Sequence, residues 1–213
     1  GTFGAQGKVR FIPQNAALRD ELRQRMLADH LAEETDHGWS FVHEMFRETL
    51  LTLAGSAGRL GSHHRACARM LLHRSDSRRV AERIGRHLLA GERPELAIPQ
   101  LVEAFRERLR TLDDRAALPL LGELESALKL AQVPDEDVRW AELSVRRAEV
   151  FGRMERMQDA RRWAVDGERR SKIGGWRVLQ ARSARVVGQV RMHQGDIAEA
   201  DTALARAEGL LRE

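Results

Sequence analysis

Small side chains return at a fixed interval toward the end of this chain, and that recurrence limits what it can fold into. Ala160, Ala164 and Gly167 stand at relative positions 0, 4 and 7, and Ala200, Leu204 and Ala207 hold the same positions 40 residues later. Upstream of these sets, Ala148 and Gly188 are again 40 apart. Ala97, Leu101 and Ala104 carry the pattern nearer the start, and Ala117, Leu121 and Leu124 echo it. Spacings of four and three place such residues on one face of a helix. Small residues there let two helices approach closely, while larger ones fill the gap to the next pair. The repeat predicts helical hairpins in series, each shielding its neighbour's apolar flank.

The surrounding pattern agrees. From about residue 80 onward, apolar residues recur at spacings of three and four between Gly, Pro and Asp. Ile98, Leu101, Val102, Phe105, Leu109 and Leu112 form one stripe of a helix that Pro94 begins. Ala117, Leu120, Leu121, Leu124 and Leu128 form the next, with Asp113 or Asp114 as N-cap. Pro134 and the acidic run Asp135 to Asp137 are expected to start a helix carrying Val138, Ala141, Val145, Ala148 and Phe151. Further helices are predicted at 157–172, 175–193 and 196–212, the last opened by Asp196 and Glu199 as a capping box. Short turns between helices of this length imply antiparallel neighbours.

Composition excludes several classes. The 213 residues suffice for one large or two small domains. Hydrophobic residues make up 42%, but charges are scattered through them, so no run of about 18 apolar residues is present to span a bilayer. The net charge of +4 is mild, and only Lys8, Lys129 and Lys172 among the basic residues are not arginine. A single cysteine, Cys67, rules out an internal disulfide framework and a cysteine-cluster metal site, which fits a reducing, cytoplasmic setting. The chain opens at Gly1 without an initiator Met and is expected to be a piece of something longer.

The first 75 residues read differently. Val9 to Ile12 suggests a short strand and Ala16 to Leu27 an arginine-rich helix. Leu31 to Thr35, a turn at Asp36-His37-Gly38, and Trp39 to Val42 form a β-hairpin pattern. Helices are expected from near His43 to Gly55 and from Arg59 to His73. Helices plus a hairpin wing suggest a small winged-helix unit. The expected organisation is a leader with a short strand over 1–13, a winged-helix-like remnant over 14–75, and helical repeats over 76–213.

Two resemblances sharpen this. Gly188, Gly195, Ala200, Leu204 and Ala207 resemble the Gly, Gly, Ala, large apolar, Ala spacing of the tetratricopeptide repeat. Arg191 stands where that family prefers Tyr, and the period is near 40 where the family's is about 34. The segment Gly38-Trp-Ser-Phe-Val-His43-Glu44-Met-Phe-Arg47-Glu48-Thr-Leu50 looks like the end of the winged-helix domain in signal-transducing ATPases of the STAND class. Arg59, His63, His64, Ala66 and Ala68, then Arg86 to Gly91, resemble the passage of bacterial members into their repeats. The resemblance implies an all-α fold: a right-handed tetratricopeptide-like superhelix of antiparallel hairpins behind a winged-helix remnant. It implies a parent that is a bacterial signalling regulator, of the Ser/Thr kinase–ATPase–repeat or LuxR type, which holds ADP or ATP in its own nucleotide-binding domain. In that family a His at the strand-to-helix junction senses the β-phosphate of ADP. The carry-over falls on His43, with Glu44 where relatives often have Asp. A His at a helix N-terminus joins a protonatable donor to free backbone N–H groups.

Other motifs carry less. Gly1 to Lys8 invites a phosphate-loop reading, but Thr2 stands where Gly is needed and Val9 where Ser or Thr must hold magnesium, so a loose leader is expected. His63 and Cys67 share a helix face with His64 adjacent, yet zinc needs further ligands, and no metal or other cofactor is assigned. Between Arg59 and Arg93 nine arginines face three carboxylates; with aromatics sparse, a solvated or partner-facing surface is expected rather than a nucleic-acid track. Arg182, Arg185 and Gln189 fall at spacings 0, 3 and 7, on the face that tetratricopeptide arrays turn to their groove, where Arg grips an acidic peptide by paired hydrogen bonds. The reading is a non-catalytic, partner-binding region. Its rival is DNA binding through Arg19, Arg23 and Arg25; an enzyme with a helical active site is a more distant one, since no catalytic residue stands out.

Overall fold

The computed structural model describes residues 2–3, 9–10, 16–35, 38–73 and 80–212. They form two compact units, residues 1–104 and 105–213. In the first, β1 (Thr2–Phe3) pairs antiparallel with β2 (Val9–Arg10), so part of the expected leader is a strand. Helix α1 (Ala16–Ala28) precedes an antiparallel hairpin of β3 (Ala32–Thr35) and β4 (Gly38–Phe41), in which Ala32 lies opposite Phe41 and Thr35 opposite Gly38. The predicted hairpin is therefore present; the tip residues Asp36 and His37, and most of Gly1 to Lys8, lie outside the described residues. Buried Ala32 packs with Met26, Leu27 and Phe41, tying α1 to the hairpin. Helices α2 (Glu44–Ser56), α3 (Leu60–Leu72) and α4 (Ala81–Ala90) follow, with α3 packed on both α2 and α4. The 75/76 boundary expected from sequence falls at residues outside the description.

The unit boundary lies inside α5 (Pro94–Arg110). The second unit continues with α6 (Asp114–Leu130), α7 (Val138–Arg153), α8 (Met157–Ile173), α9 (Arg177–Gln194) and α10 (Ile197–Arg212). Each of α6 to α9 packs on its successor, and α7 also meets α9. The described chain is thus mostly helical, with two small two-stranded sheets.

One turn type joins these helices. A left-handed residue ends each of α4 to α9: Glu92, Leu112, Gln132, Glu155, Gly175 and Gly195. Each turn closes by a hydrogen bond spanning six residues, as from Asp113 N to Arg108 O at 2.9 Å, Arg156 N to Phe151 O at 2.9 Å and Asp196 N to Arg191 O at 3.0 Å. Residues 92, 112 and 132 are 20 apart, as are 155, 175 and 195; the three-residue excess between 132 and 155 sits in the Pro134–Asp137 turn. Helix plus turn is 20 residues, so a hairpin is 40.

The small residues occupy the close approaches. Ala97, Ala117, Ala160 and Ala164 are 0% exposed and Ala200 2%. A Cβ on Gly188 would meet Leu204 Cδ2 at 2.9 Å, and one on Gly167 would meet Val145 Cγ2 at 2.9 Å and Val145 N at 3.2 Å. Ala148, Ala160 and Ala164 form one buried cluster with Val186 and Val190, against which Phe151, Met157, Trp163 and Val187 pack.

Two expectations need correcting, and one pair of alternatives is resolved. Leu112 is no stripe residue: as the left-handed turn residue it is 80% exposed. Pro134 does not start α7; it opens a turn, and Asp137 caps the helix by accepting from Arg139 N at 2.9 Å. Asp113, rather than Asp114, caps α6, accepting from Ala116 N at 3.1 Å.

Candidate functional site

The strand-to-helix junction is built as the sequence implies. His43 ends the chain's path out of β4 in an extended conformation and its backbone caps α2, its C=O accepting from Phe46 N at 3.1 Å. The His43 side chain is exposed and makes no capping hydrogen bond. Its ring lies 6.2 Å from that of Phe46. Glu44 is held from the next turn by Arg47, whose Nε donates to Oε1 at 2.6 Å. This end of α2 therefore presents His43 and the first backbone N–H groups to solvent beside a neutralised carboxylate.

The face shared by α7 and α9 brings Arg182, Arg185 and Gln189 together with α7. Arg182 donates to Glu149 from Nε at 2.9 Å and from Nη2 at 2.7 Å, a two-pronged contact. Arg185 adds Nη2 to the same carboxylate at 3.2 Å, and Gln189 Nε2 donates to Gly152 O at 3.4 Å. Burial pushes the Glu149 carboxyl up, but Arg182 and then Arg185 outweigh it and hold it below the ordinary range. Glu149 is a residue whose role sequence reasoning missed: it is the acid on which Arg182 and Arg185 close. Arg182 is fixed by this pair, whereas the Arg185 side chain is 56% exposed and keeps N–H donors beyond the one it gives to Glu149.

A second web joins α7 to α8. Ser144 Oγ donates to Asp166 Oδ2 at 2.6 Å, and Arg170 Nε donates to the same oxygen at 2.9 Å while Arg169 Nη2 takes Oδ1 at 2.8 Å. Burial raises the Asp166 carboxyl, yet these three donors carry it below its usual value. Arg170 also reaches Asp135 O at 3.2 Å. Between that turn and the end of α8 opens a cleft of about 190 Å3 lined by Asp135, Glu136, Arg169, Arg170, Ile173 and Trp176. Two carboxylates and two guanidiniums line it, so its formal charges cancel.

Elsewhere the arginines are mostly spoken for. Arg23 pairs with Glu34 at 2.5 Å; Arg25 is exposed, and the Arg19 side chain is outside the description. Arg147 pairs with Glu125 at 2.6 Å and lies 4.5 Å from the centre of the Trp163 ring. Arg191, where a tetratricopeptide repeat prefers Tyr, binds Asp196 at 3.1 Å and Glu199 at 3.0 Å, engaging both acids of the expected capping box. Cys67 is buried at 3% exposure. Among the described residues no group of three or more His, Cys, Asp or Glu is placed to hold a metal ion, and no helix is long and apolar enough to cross a membrane. No family model, curated protein or solved structure matches the chain.

Proposed function

We propose that this chain is a non-catalytic interaction and sensor region of a multidomain signal-transducing ATPase of the STAND class, in which a winged-helix tail runs into a right-handed tetratricopeptide-like superhelix. The observation that carries the reading is the 40-residue hairpin: identical turns 20 residues apart, with small residues buried where consecutive helices touch. Units of this kind stack, and stacked units offer an extended surface that binds proteins or peptides rather than a closed pocket for chemistry.

In this reading the partner is a protein or peptide with an acidic segment. Arg185 supplies the free guanidinium donors and Arg182, locked by Glu149, holds the face in place, with Gln189 beside them. The nucleotide-binding domain of the parent would bring ADP or ATP to the α2 N-terminus, where His43 reads the phosphate and Glu44 stands next to it. A partner on the repeats then favours one switch state by binding it more tightly.

The test is a titration of fluorescently labelled acidic peptides against the whole chain, read by polarisation. Saturable binding that weakens about tenfold in Arg185→Ala, and weakens with added salt, is the expected result. Equal binding by Arg185→Ala would remove Arg185 from the groove. The coding sequence upstream provides a separate check: a phosphate loop followed by an aspartate-bearing strand is expected there, and a flank with neither would end the role given to His43.

A further inference from the structure

We propose that His64 of α3 and His87 of α4 form a proton-sharing latch that holds the two helices together at neutral pH and lets go in acid. The two Nδ1 atoms are 2.9 Å apart and the ring centroids 5.2 Å apart. The centroid distance equals the nitrogen separation plus one ring radius on each side, so the nitrogens face each other along a line. Two lone pairs aimed at one another in this way do not converge on a metal ion. One of the nitrogens must carry a hydrogen and donate it to the other.

The proton inventory then sets the behaviour. In the neutral pair one imidazole is protonated at Nδ1 and donates; the other is protonated at Nε2 and accepts. A first added proton goes to the outer Nε2 of the donor and leaves the contact intact, now charge-assisted. A second goes to the accepting Nδ1. Two N–H groups and two positive rings then oppose each other at hydrogen-bond distance, and the contact reverses sign.

Among the described residues, the charges that act on the two rings give no relief. His63 acts on His64 from α3, and Arg83 acts on His87 from α4; both oppose added positive charge. Glu82, the carboxylate of α4, pairs with Arg86 at 2.7 Å. On α2, which packs on α3, Glu44 is taken by Arg47 and Glu48 is exposed; β1, also against α3, is Thr2–Phe3; α5, which meets α4 through Leu101 against Gly85, carries Glu95, Glu103 and Glu107, and none of these carboxylates is among the charges acting on either ring. Arg65 braces the same pair of helices by donating to Gly91 O at 2.9 Å.

Burial first, then the facing cations, hold both rings below the ordinary value of 6.5, His87 at about 4. The unfolded chain binds these protons more readily than the folded one. The latch is therefore whole above pH 6.5 and is lost as pH falls toward about 4. This stands apart from the partner-binding reading, which involves residues of the other unit.

The experiment uses the full chain. Amide exchange of α3 and α4 is followed by mass spectrometry from pH 7.5 to 4, corrected for intrinsic exchange, in the wild type and in His64→Phe/His87→Phe. Opening of α4 is expected to rise about tenfold across that range in the wild type and to stay flat in the double variant, whose apolar pair cannot titrate. A double variant that keeps the pH response, or a wild type without one, overturns the proposal. Imidazole NMR of the wild type decides independently of any variant: both rings titrating near 6.5 as separate sites also overturns it. So does a stoichiometric rise in melting temperature with added zinc, which would make the pair a ligand set.

Discussion

Glu149 of α7 accepts both prongs of the Arg182 guanidinium of α9, at 2.9 and 2.7 Å, and so ties together two helices that are not consecutive in the chain. The Glu149 side chain is 13% exposed and that of Arg182 30%. Removing either partner strands the other's charge in a half-dry site, so Glu149→Ala and Arg182→Ala are each expected to cost about 2 kcal/mol in urea unfolding. The double variant should cost clearly less than the two together, because the second truncation removes a group already stranded. Additive losses would show that the pair contributes no coupling. Because the folded carboxyl sits below its ordinary value, this stability is present above the unfolded pKa and fades as pH falls beneath it.

Asp137 is the sharper pH probe. Its carboxylate caps α7 and takes Arg139 Nε and Nη2, each at 2.8 Å, and this contact above all pulls its pKa down to about 2 against an ordinary 3.8. The unfolded chain gains that proton first on acidification, so the cap's contribution is complete above pH 3.8 and disappears on the way to about 2. Carboxyl NMR should find Asp137 titrating near 2 in the wild type, and should find it returned toward 3.8 in Arg139→Ala. An unchanged midpoint in that variant would remove the arginine as the cause.

Two glycines inside helices should respond to alanine with opposite sign. On Gly167 of α8 the new methyl meets Val145 Cγ2 at 2.9 Å, Ser183 Oγ at 3.1 Å and the Val145 backbone N at 3.2 Å. The backbone cannot step aside, so Gly167→Ala should destabilise by about 1–3 kcal/mol. On Gly122 of α6 it meets no described atom within 4 Å. There the gain in helix propensity is unopposed, and Gly122→Ala should stabilise by about 0.5–1 kcal/mol. Thermal melting of the two variants checks the signs; stabilisation by both would mean that α7 and α8 are not in close contact at Gly167.

The period was legible in the sequence because it is written in residue size. Ala97, Ala117, Ala160 and Ala200 are small and buried, as close helix approach requires. Helix ends were less legible. Glu92, Leu112, Gln132 and Glu155 take a left-handed conformation that their side chains do not advertise; only Gly175 and Gly195 did. The pairing of Glu149 with Arg182 was hidden for a different reason, since it joins residues 33 positions apart whose proximity depends on how two hairpins stack. His64 and His87, 23 apart on separate helices, were hidden likewise. Periodicity fixes which face of a helix is turned inward. It does not say which polar groups meet along the seam.

The turns give the last prediction. Leu112 and Gly195 hold the same place in equivalent turns, at φ 56° and 83°. A side chain in that region clashes with its own carbonyl and costs about 1 kcal/mol or more. Leu112 is 80% exposed, so its side chain has little packing to lose. Leu112→Gly should therefore raise the unfolding free energy by a few tenths to about 1 kcal/mol, the relief of strain exceeding the entropy that glycine adds to the unfolded chain. Gly195→Ala should lower it by about 1 kcal/mol, and Gly195→Asn by less, because Asn tolerates the left-handed region. If Leu112→Gly lowered stability while Gly195→Ala left it unchanged, the two turns would not share one geometry, and the 20-residue step they define would lose its physical basis.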